Sequence, residues 1–154
     1  NLWIEIAKED LLSVMKRVDL IIINDGEVRM LAEDDNLIRA SRTLIGMVGC
    51  QTLIIKKGEH GVVAFHDGEI ISLPAYPTEN IVDPTGCGDS FAGTIAAFLA
   101  SNDGKLTRNE LREALVRATV TASFTLESFG TSGLLALDNE MFSSRLNEFE
   151  AILS

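Results

Sequence analysis

Two stretches of the chain, Val18–Ile23 and Thr52–Ile55, are strand-sized and apolar on consecutive positions rather than alternate ones, with Asp19 the one charge. A strand with one wet face alternates, so an unbroken run marks a strand buried on both sides. Such strands belong to mostly parallel sheets covered by helices. Helical spacing surrounds these runs. From Glu5 to Arg17 the apolar residues Ile6, Leu11, Leu12, Val14 and Met15 recur with the period of an amphipathic helix. Asn24-Asp25-Gly26 breaks the first strand and Glu27–Ala32 reads as a short helix. Asn36–Val48 carries Leu37, Ile38, Leu44, Ile45 and Val48 on one stripe and ends at Gly49.

The second half punctuates itself differently. Val62–Phe65 and Glu69–Leu73 flank His66-Asp67-Gly68, whose Asp-Gly pair predicts a β-hairpin. After a looser stretch with Pro74 and Pro77, a small-residue apolar helix is expected over Ala92–Ala100. Thr107 and Glu110 have the spacing of a capping box before a helix from Leu111 to about Leu126. Phe129–Gly133 is a Gly-containing loop, and Asn139–Leu153 reads as a terminal helix. There is no repeat and no low-complexity run. Alternating helices and strands predict a layered α/β fold, a mostly parallel sheet with one antiparallel hairpin.

Charge and cysteine usage narrow the function classes. The 154 residues hold 13 Lys plus Arg against 23 Asp plus Glu, a net charge of −10. Such a surface repels phosphate backbones and anionic lipid, so no nucleic-acid or membrane partner is expected. No apolar run approaches the ~20 residues of a membrane span, and no signal peptide opens the chain. Two isolated cysteines, Cys50 and Cys87, suggest a reducing cytoplasm. Two histidines and no Cys/His cluster argue against structural zinc. The chain opens on Asn1 with no initiator Met, consistent with a piece of a longer protein.

The strongest local signal is Gly86-Cys87-Gly88-Asp89 entering a helix. Small residues let the backbone bend so that successive N–H groups converge at a helix N-terminus, where the dipole also favours negative charge. That is an anion hole suited to a transferring phosphoryl group or an oxyanion. Asp89, in the same turn, can accept a proton from an attacking hydroxyl. The plainer alternative is that Asp89 or Ser90 merely caps the helix, and spacing alone leaves the two about even. Three other motifs fail. A dinucleotide fingerprint needs Gly or Ala where Phe91 stands. Gly104-Lys105 is followed by Leu106 and lacks the upstream glycine of a P-loop. Gly88-Asp89-Ser90-Phe91-Ala92 approaches a nucleophile elbow, but His60 and His66 both precede the serine.

Asp83-Pro84-Thr85-Gly86-Cys87-Gly88-Asp89-Ser90-Phe91 resembles the carboxy-terminal signature of the ribokinase-like, or PfkB-type, carbohydrate kinases. Asn24-Asp25-Gly26-Glu27, after a strand, is similar to the family's Asn-x-x-Glu motif. Lys56-Lys57-Gly58-Glu59-His60-Gly61 is similar to its nucleotide loop. The motifs occur in the family's order. Pro84, Cys87 and Lys56 depart from the commonest residues, and Phe129–Gly133 does not match the ribokinase loop closely.

The resemblance implies a three-layer α/β/α ribokinase-like fold. It covers residues 1–154 as the carboxy-terminal, nucleotide-binding and catalytic portion, without the substrate and lid portion. It implies Asp89 as catalytic base and the backbone of Gly86, Cys87 and Gly88 as anion hole. Asn24, Lys56, Gly58, Gly61 and Gly88 would meet ATP, with glycines where a backbone must approach a ligand closely. Glu27 would act on Mg²⁺ through water, although a helix cap explains Asn24 and Glu27 without the family. Asp83 and the Thr85 carbonyl would hold a monovalent cation such as K⁺. The implied reaction is ATP-dependent phosphoryl transfer to a hydroxyl of a sugar or sugar-like substrate, in a protein that is a homodimer at full length. The 154 residues alone are expected to be inactive. A nucleoside or small-heterocycle kinase of the same superfamily, and a non-catalytic nucleotide-binding module, are the alternatives.

Overall fold

The computed structural model describes residues 2–104 and 106–154. Asn1, at which the chain opens, and Lys105, weighed above as a P-loop lysine, lie outside the described residues. The chain divides into two units, one ending at Ser72 and one running from Leu73 to Ser154.

The first unit opens with helices α1 (Leu2–Ile6) and α2 (Lys8–Met15). Strands β1 (Leu20–Asn24), β2 (Thr52–Lys56), β3 (Val62–His66) and β4 (Glu69–Leu73) form one sheet in that order. β1 and β2 are parallel, with Leu20 opposite Thr52 and Asn24 opposite Lys56. β2 and β3 are antiparallel, with Ile54 opposite Ala64. Ile21, Ile23, Leu53, Ile55, Val63 and Phe65 join one core with Val28, Leu31, Ala40, Leu44 and Val48. The last five come from α3 (Asp25–Ala32) and α4 (Leu37–Val48). Ile54 and Ala64, on the other face, are fully buried as well. β2 is therefore covered on both faces, as its unbroken apolar run predicts. β1 departs from that expectation: it starts at Leu20, leaves Val18 exposed, and alternates between buried Ile21 and Ile23 and half-buried Leu20 and Ile22, because it lies at the end of the strand order.

Local chemistry explains the boundaries. Asn36 caps α4 by accepting the Arg39 N–H, and Gly49 ends it in the left-handed region. Asp67 and Gly68 both have positive φ, 49° and 83°, as a two-residue hairpin turn of the favoured hand requires. Two expectations change. The single helix expected over Glu5–Arg17 is broken at Ala7, whose φ of −149° is not helical. Glu9 and Asp10 then fall in the first turn of α2, where acids suit a new N-terminus. On α4, Ile38 is exposed and Ala40 and Ser41 occupy the buried stripe instead.

The second unit is helical after β4: α5 (Cys87–Ser101), α6 (Arg108–Leu126), α7 (Ser132–Leu135) and α8 (Asn139–Ile152). The expected capping box opens α6, with Thr107 and Glu110 each accepting the other's N–H. α6 is the most buried helix of the unit, with Leu111, Leu115, Val116, Val120 and Phe124 inside. Phe149 of α8 is fully buried and meets Tyr76 edge to face, 5.7 Å between ring centres. α5 starts at Cys87, earlier than the expected Ala92, so the Gly-Cys-Gly-Asp turn is its first turn. No helix among the described residues is long and apolar enough to cross a membrane.

Candidate active site

In the first unit the family-like residues gather at the carboxyl ends of β1 and β2, the edge at which open α/β sheets take ligands. Asn24 ends β1 and caps α3. Its Oδ1 accepts the Glu27 N–H at 2.8 Å, and Glu27 Oε2 accepts the Asn24 N–H at 3.1 Å. The cap that explains Asn24 and Glu27 without a ligand is thus present in full. Lys56 is the parallel register partner of Asn24, so these two residues stand side by side on adjacent strands. Beyond Lys56 the chain turns through Gly58 (φ 56°) and Gly61 (φ 80°), with the Lys57 N–H donating to the Gly61 carbonyl at 2.8 Å. L-residues avoid both conformations, so the loop's path depends on its glycines.

The second unit holds the signature. Asp83 Oδ1 accepts the Thr85 N–H at 2.9 Å. Hydrogen bonds from the Thr85 backbone and side chain hold the Asp83 carboxyl below the ordinary aspartate value. Gly86, in the left-handed region at φ 86°, is the N-cap of α5, and no side chain caps the helix. Asp89, an exposed residue, is third in the helix and the only acid in its first turn. Neither Asp89 nor Ser90 is the cap. The Ser90 hydroxyl donates to the Cys87 carbonyl at 3.1 Å. The two motifs therefore part ways: Asn24 and Glu27 have a complete local reason to be there, and Asp89 does not.

The turn also refines which donors face outward. The Cys87 N–H donates inward to the Pro84 carbonyl at 3.2 Å. No hydrogen bond among the described residues takes the N–H of Gly88 or Asp89. The Cys87 thiol reaches the Ala122 carbonyl at 3.6 Å. Burial, and then the Asp83 charge, push its pKa up, so this cysteine packs as a neutral thiol.

The last turn of α6 is the frame that sequence reasoning missed. The Leu126 carbonyl accepts both the Val82 N–H at 3.0 Å and the Asp83 N–H at 3.1 Å. Thr125 Oγ1 donates to Ser90 Oγ at 2.9 Å. The chain after it packs tightly: Gly133, which falls in α7 rather than in the expected loop, donates its N–H to Ser128 Oγ at 2.9 Å. A Cβ on Gly133 would stand 2.3 Å from that oxygen and 2.4 Å from the Phe124 carbonyl. Gly133→Ala is therefore expected to cost about 1–3 kcal/mol of stability through forced backbone movement. The measure is the denaturant midpoint, and an unchanged midpoint would mean that this site has room the contacts deny.

A family model described as pfkB family carbohydrate kinase matches residues 1–136. A cytidine kinase of Thermococcus kodakarensis is 39% identical over 117 residues, covering 73% of this chain and 40% of that protein. Fructokinase-2 of Oryza sativa subsp. japonica is 34% identical over 110 residues, covering 71% of this chain and 32% of that protein. The crystal structure of aminoimidazole riboside kinase from Salmonella enterica, complexed with aminoimidazole riboside and an ATP analogue, superposes with a TM-score of 0.76 at 22% identity. That match covers 90% of this chain and 46% of the other. The chain thus spans less than half the length of these relatives.

Proposed function

The chain belongs to the pfkB family of carbohydrate kinases, and from that premise we propose that it supplies the nucleotide and catalytic portion of an enzyme transferring the γ-phosphoryl group of ATP to a hydroxyl of a sugar or sugar-like substrate. The observation that carries this reading is the α5 N-terminus. There an uncapped first turn leaves the Gly88 and Asp89 N–H groups to an anion, and an exposed carboxylate stands in the same turn. In this reading Asp89 takes the hydroxyl proton and the hydroxyl oxygen bonds to the γ-phosphorus. The bond from that phosphorus to the bridging oxygen breaks, and ADP leaves with the electron pair. Such transition states are loose, so positioning and charge stabilisation matter more than the strength of the base.

Asn24, Lys56, Gly58 and Gly61 are assigned to the nucleotide in the same proposal, supported by the shared edge of β1 and β2. Asp83 and the Thr85 carbonyl are assigned to a monovalent cation, in keeping with a carboxyl whose pKa is lowered by the Thr85 hydrogen bonds. Glu27 is assigned to Mg²⁺ through water. Among the described residues no three His, Cys, Asp or Glu side chains gather as a metal cage. Mg²⁺ held by one carboxylate's water and a nucleotide's phosphates needs none. When bound it neutralises charge developing on the phosphates. A nucleoside acceptor is the second reading, favoured by the 39% identity to a cytidine kinase. An assay of ADP release over a panel of sugars and nucleosides, in a longer form that carries the acceptor-binding portion, separates the two. Release with neither class would reject both.

Glu27→Gln tests the metal assignment against the cap. Gln keeps an acceptor for the Asn24 N–H, so the capping box survives, while the charge is lost. The Mg²⁺ concentration for half-maximal rate is expected to rise roughly tenfold or more with the acceptor KM unchanged. An unchanged Mg²⁺ requirement would leave Glu27 as a helix cap alone.

A further inference from the structure

We propose that Arg145, acting through Glu127, is a positioning residue for the Asp83–Asp89 loop. The pair fixes the orientation of the last α6 turn, from which that loop hangs. The inference rests on the reading of this loop as the phosphoryl-transfer turn.

Arg145 comes from α8 and meets three residues of that single turn. Its Nη2 donates to Glu127 Oε2 at 2.8 Å and its Nη1 to Ser123 Oγ at 3.0 Å. Its guanidinium lies 3.7 Å from the centre of the Phe124 ring, with Tyr76 at 5.0 Å. Glu127 Oε1 also accepts the Thr78 hydroxyl at 2.7 Å, so loop 74–80 is tied to the same carboxylate. Both charged side chains are only 19% exposed. This is not a solvated surface pair, which would contribute little.

What the turn holds is the signature. Leu126, between Phe124 and Glu127, gives its carbonyl to the Val82 and Asp83 N–H groups. Asp83 takes the Thr85 N–H, and Pro84 takes the Cys87 N–H at the head of α5. Hydrogen bonds, joined by the α6 backbone from Glu127 to Leu126, thus lead from Arg145 to the turn that carries Asp89. An apolar residue at 145 would bury α8 against Phe124 equally well. A planar fork that reads a hydroxyl and a carboxylate together fixes the rotation of the turn, which burial alone does not.

The test uses amide hydrogen exchange at Val82 and Asp83 in the 154-residue chain. Arg145→Met keeps side-chain bulk and removes the fork; Arg145→Lys keeps the charge and one contact. A core control, Leu115→Ala, sits on α6 away from its last turn. After correction to equal global stability, Arg145→Met is expected to speed exchange at both amides about tenfold over the control, with Arg145→Lys between. In a form that turns over, kcat is expected to fall roughly 10–100-fold with the nucleotide KM within about twofold. Should Arg145→Met fail to fold, Glu127→Gln gives the same reading with a smaller change. Exchange matching the control would overturn the proposal and leave Arg145 as packing for α8. The exchange result does not depend on turnover. Faster exchange, beside a longer form with the acceptor-binding portion that phosphorylates nothing, supports the positioning role while rejecting the kinase reading; unchanged exchange beside an active longer form rejects only the positioning role.

Discussion

Asp89→Asn is expected to reduce kcat by about 10²–10⁴-fold in a form of the protein that turns over, the usual cost of removing a general base. ATP affinity is expected to stay within a few fold. The substitution is nearly isosteric, and Asp89 makes no cap contact that α5 would lose. The left-handed Gly86 and the Leu126, Thr125 and Ala122 contacts that seat the turn are untouched. The N–H groups of Gly88 and residue 89 remain available to the phosphates. Removing a negative charge from that end would, if anything, favour a bound anion. A fall in rate without a fall in affinity therefore isolates proton removal. Measuring kcat and the nucleotide Kd of both proteins decides it. A variant retaining more than about half the parent rate would take Asp89 out of the base's role.

Features written in neighbouring residues were legible in the sequence. The Asp67-Gly68 turn, the Thr107/Glu110 box and the Gly49 stop each depend on contacts a few residues apart. The unbroken run of β2 reported burial on both faces because an inner sheet position dictates composition directly; the equally unbroken run of β1 misreported it, because that strand lies at the sheet edge and buries only Ile21 and Ile23. The start of α5 was not legible. Gly-Cys-Gly-Asp has poor helix propensity, and the partners that seat it are remote: Thr125 bonds Ser90 from thirty-five positions later, and Leu126 holds Val82 and Asp83 from more than forty. Arg145 reads as one more charge on an amphipathic terminal helix. Its partners Thr78, Ser123 and Glu127 lie at separations that no periodicity encodes. At Asn24 and Glu27 the sequence offered a cap and a ligand site, and the structure supplies the cap. Chemistry, not geometry, must decide whether the same pair does more.

The 154-residue chain alone is expected to bind ATP weakly and to release no ADP in response to any sugar or nucleoside. Weak binding follows from what is present. The first turn of α5 offers free donors, and the glycine loop after Lys56 is fully formed. Silence follows from the extent of the match, which reaches 46% of the Salmonella kinase and 40% of the Thermococcus kinase. Apart from Asp89, which is assigned its proton, none of the residues described above has been assigned to holding an acceptor. Holding an acceptor in line with the γ-phosphorus is worth roughly 7–11 kcal/mol of a bimolecular barrier, more than the ~3–5 kcal/mol expected of a positioned base. A base and an anion hole without an oriented acceptor have nothing aligned to act on. Among the described residues β1 is an end strand of the sheet, so some self-association should accompany binding and calls for measurement at several concentrations. Calorimetry with ATP and Mg²⁺, run beside a coupled ADP-release assay, tests both halves. Acceptor-dependent ADP release would show that these residues already hold the acceptor, and no heat of binding at millimolar ATP would remove the nucleotide site from this portion of the fold.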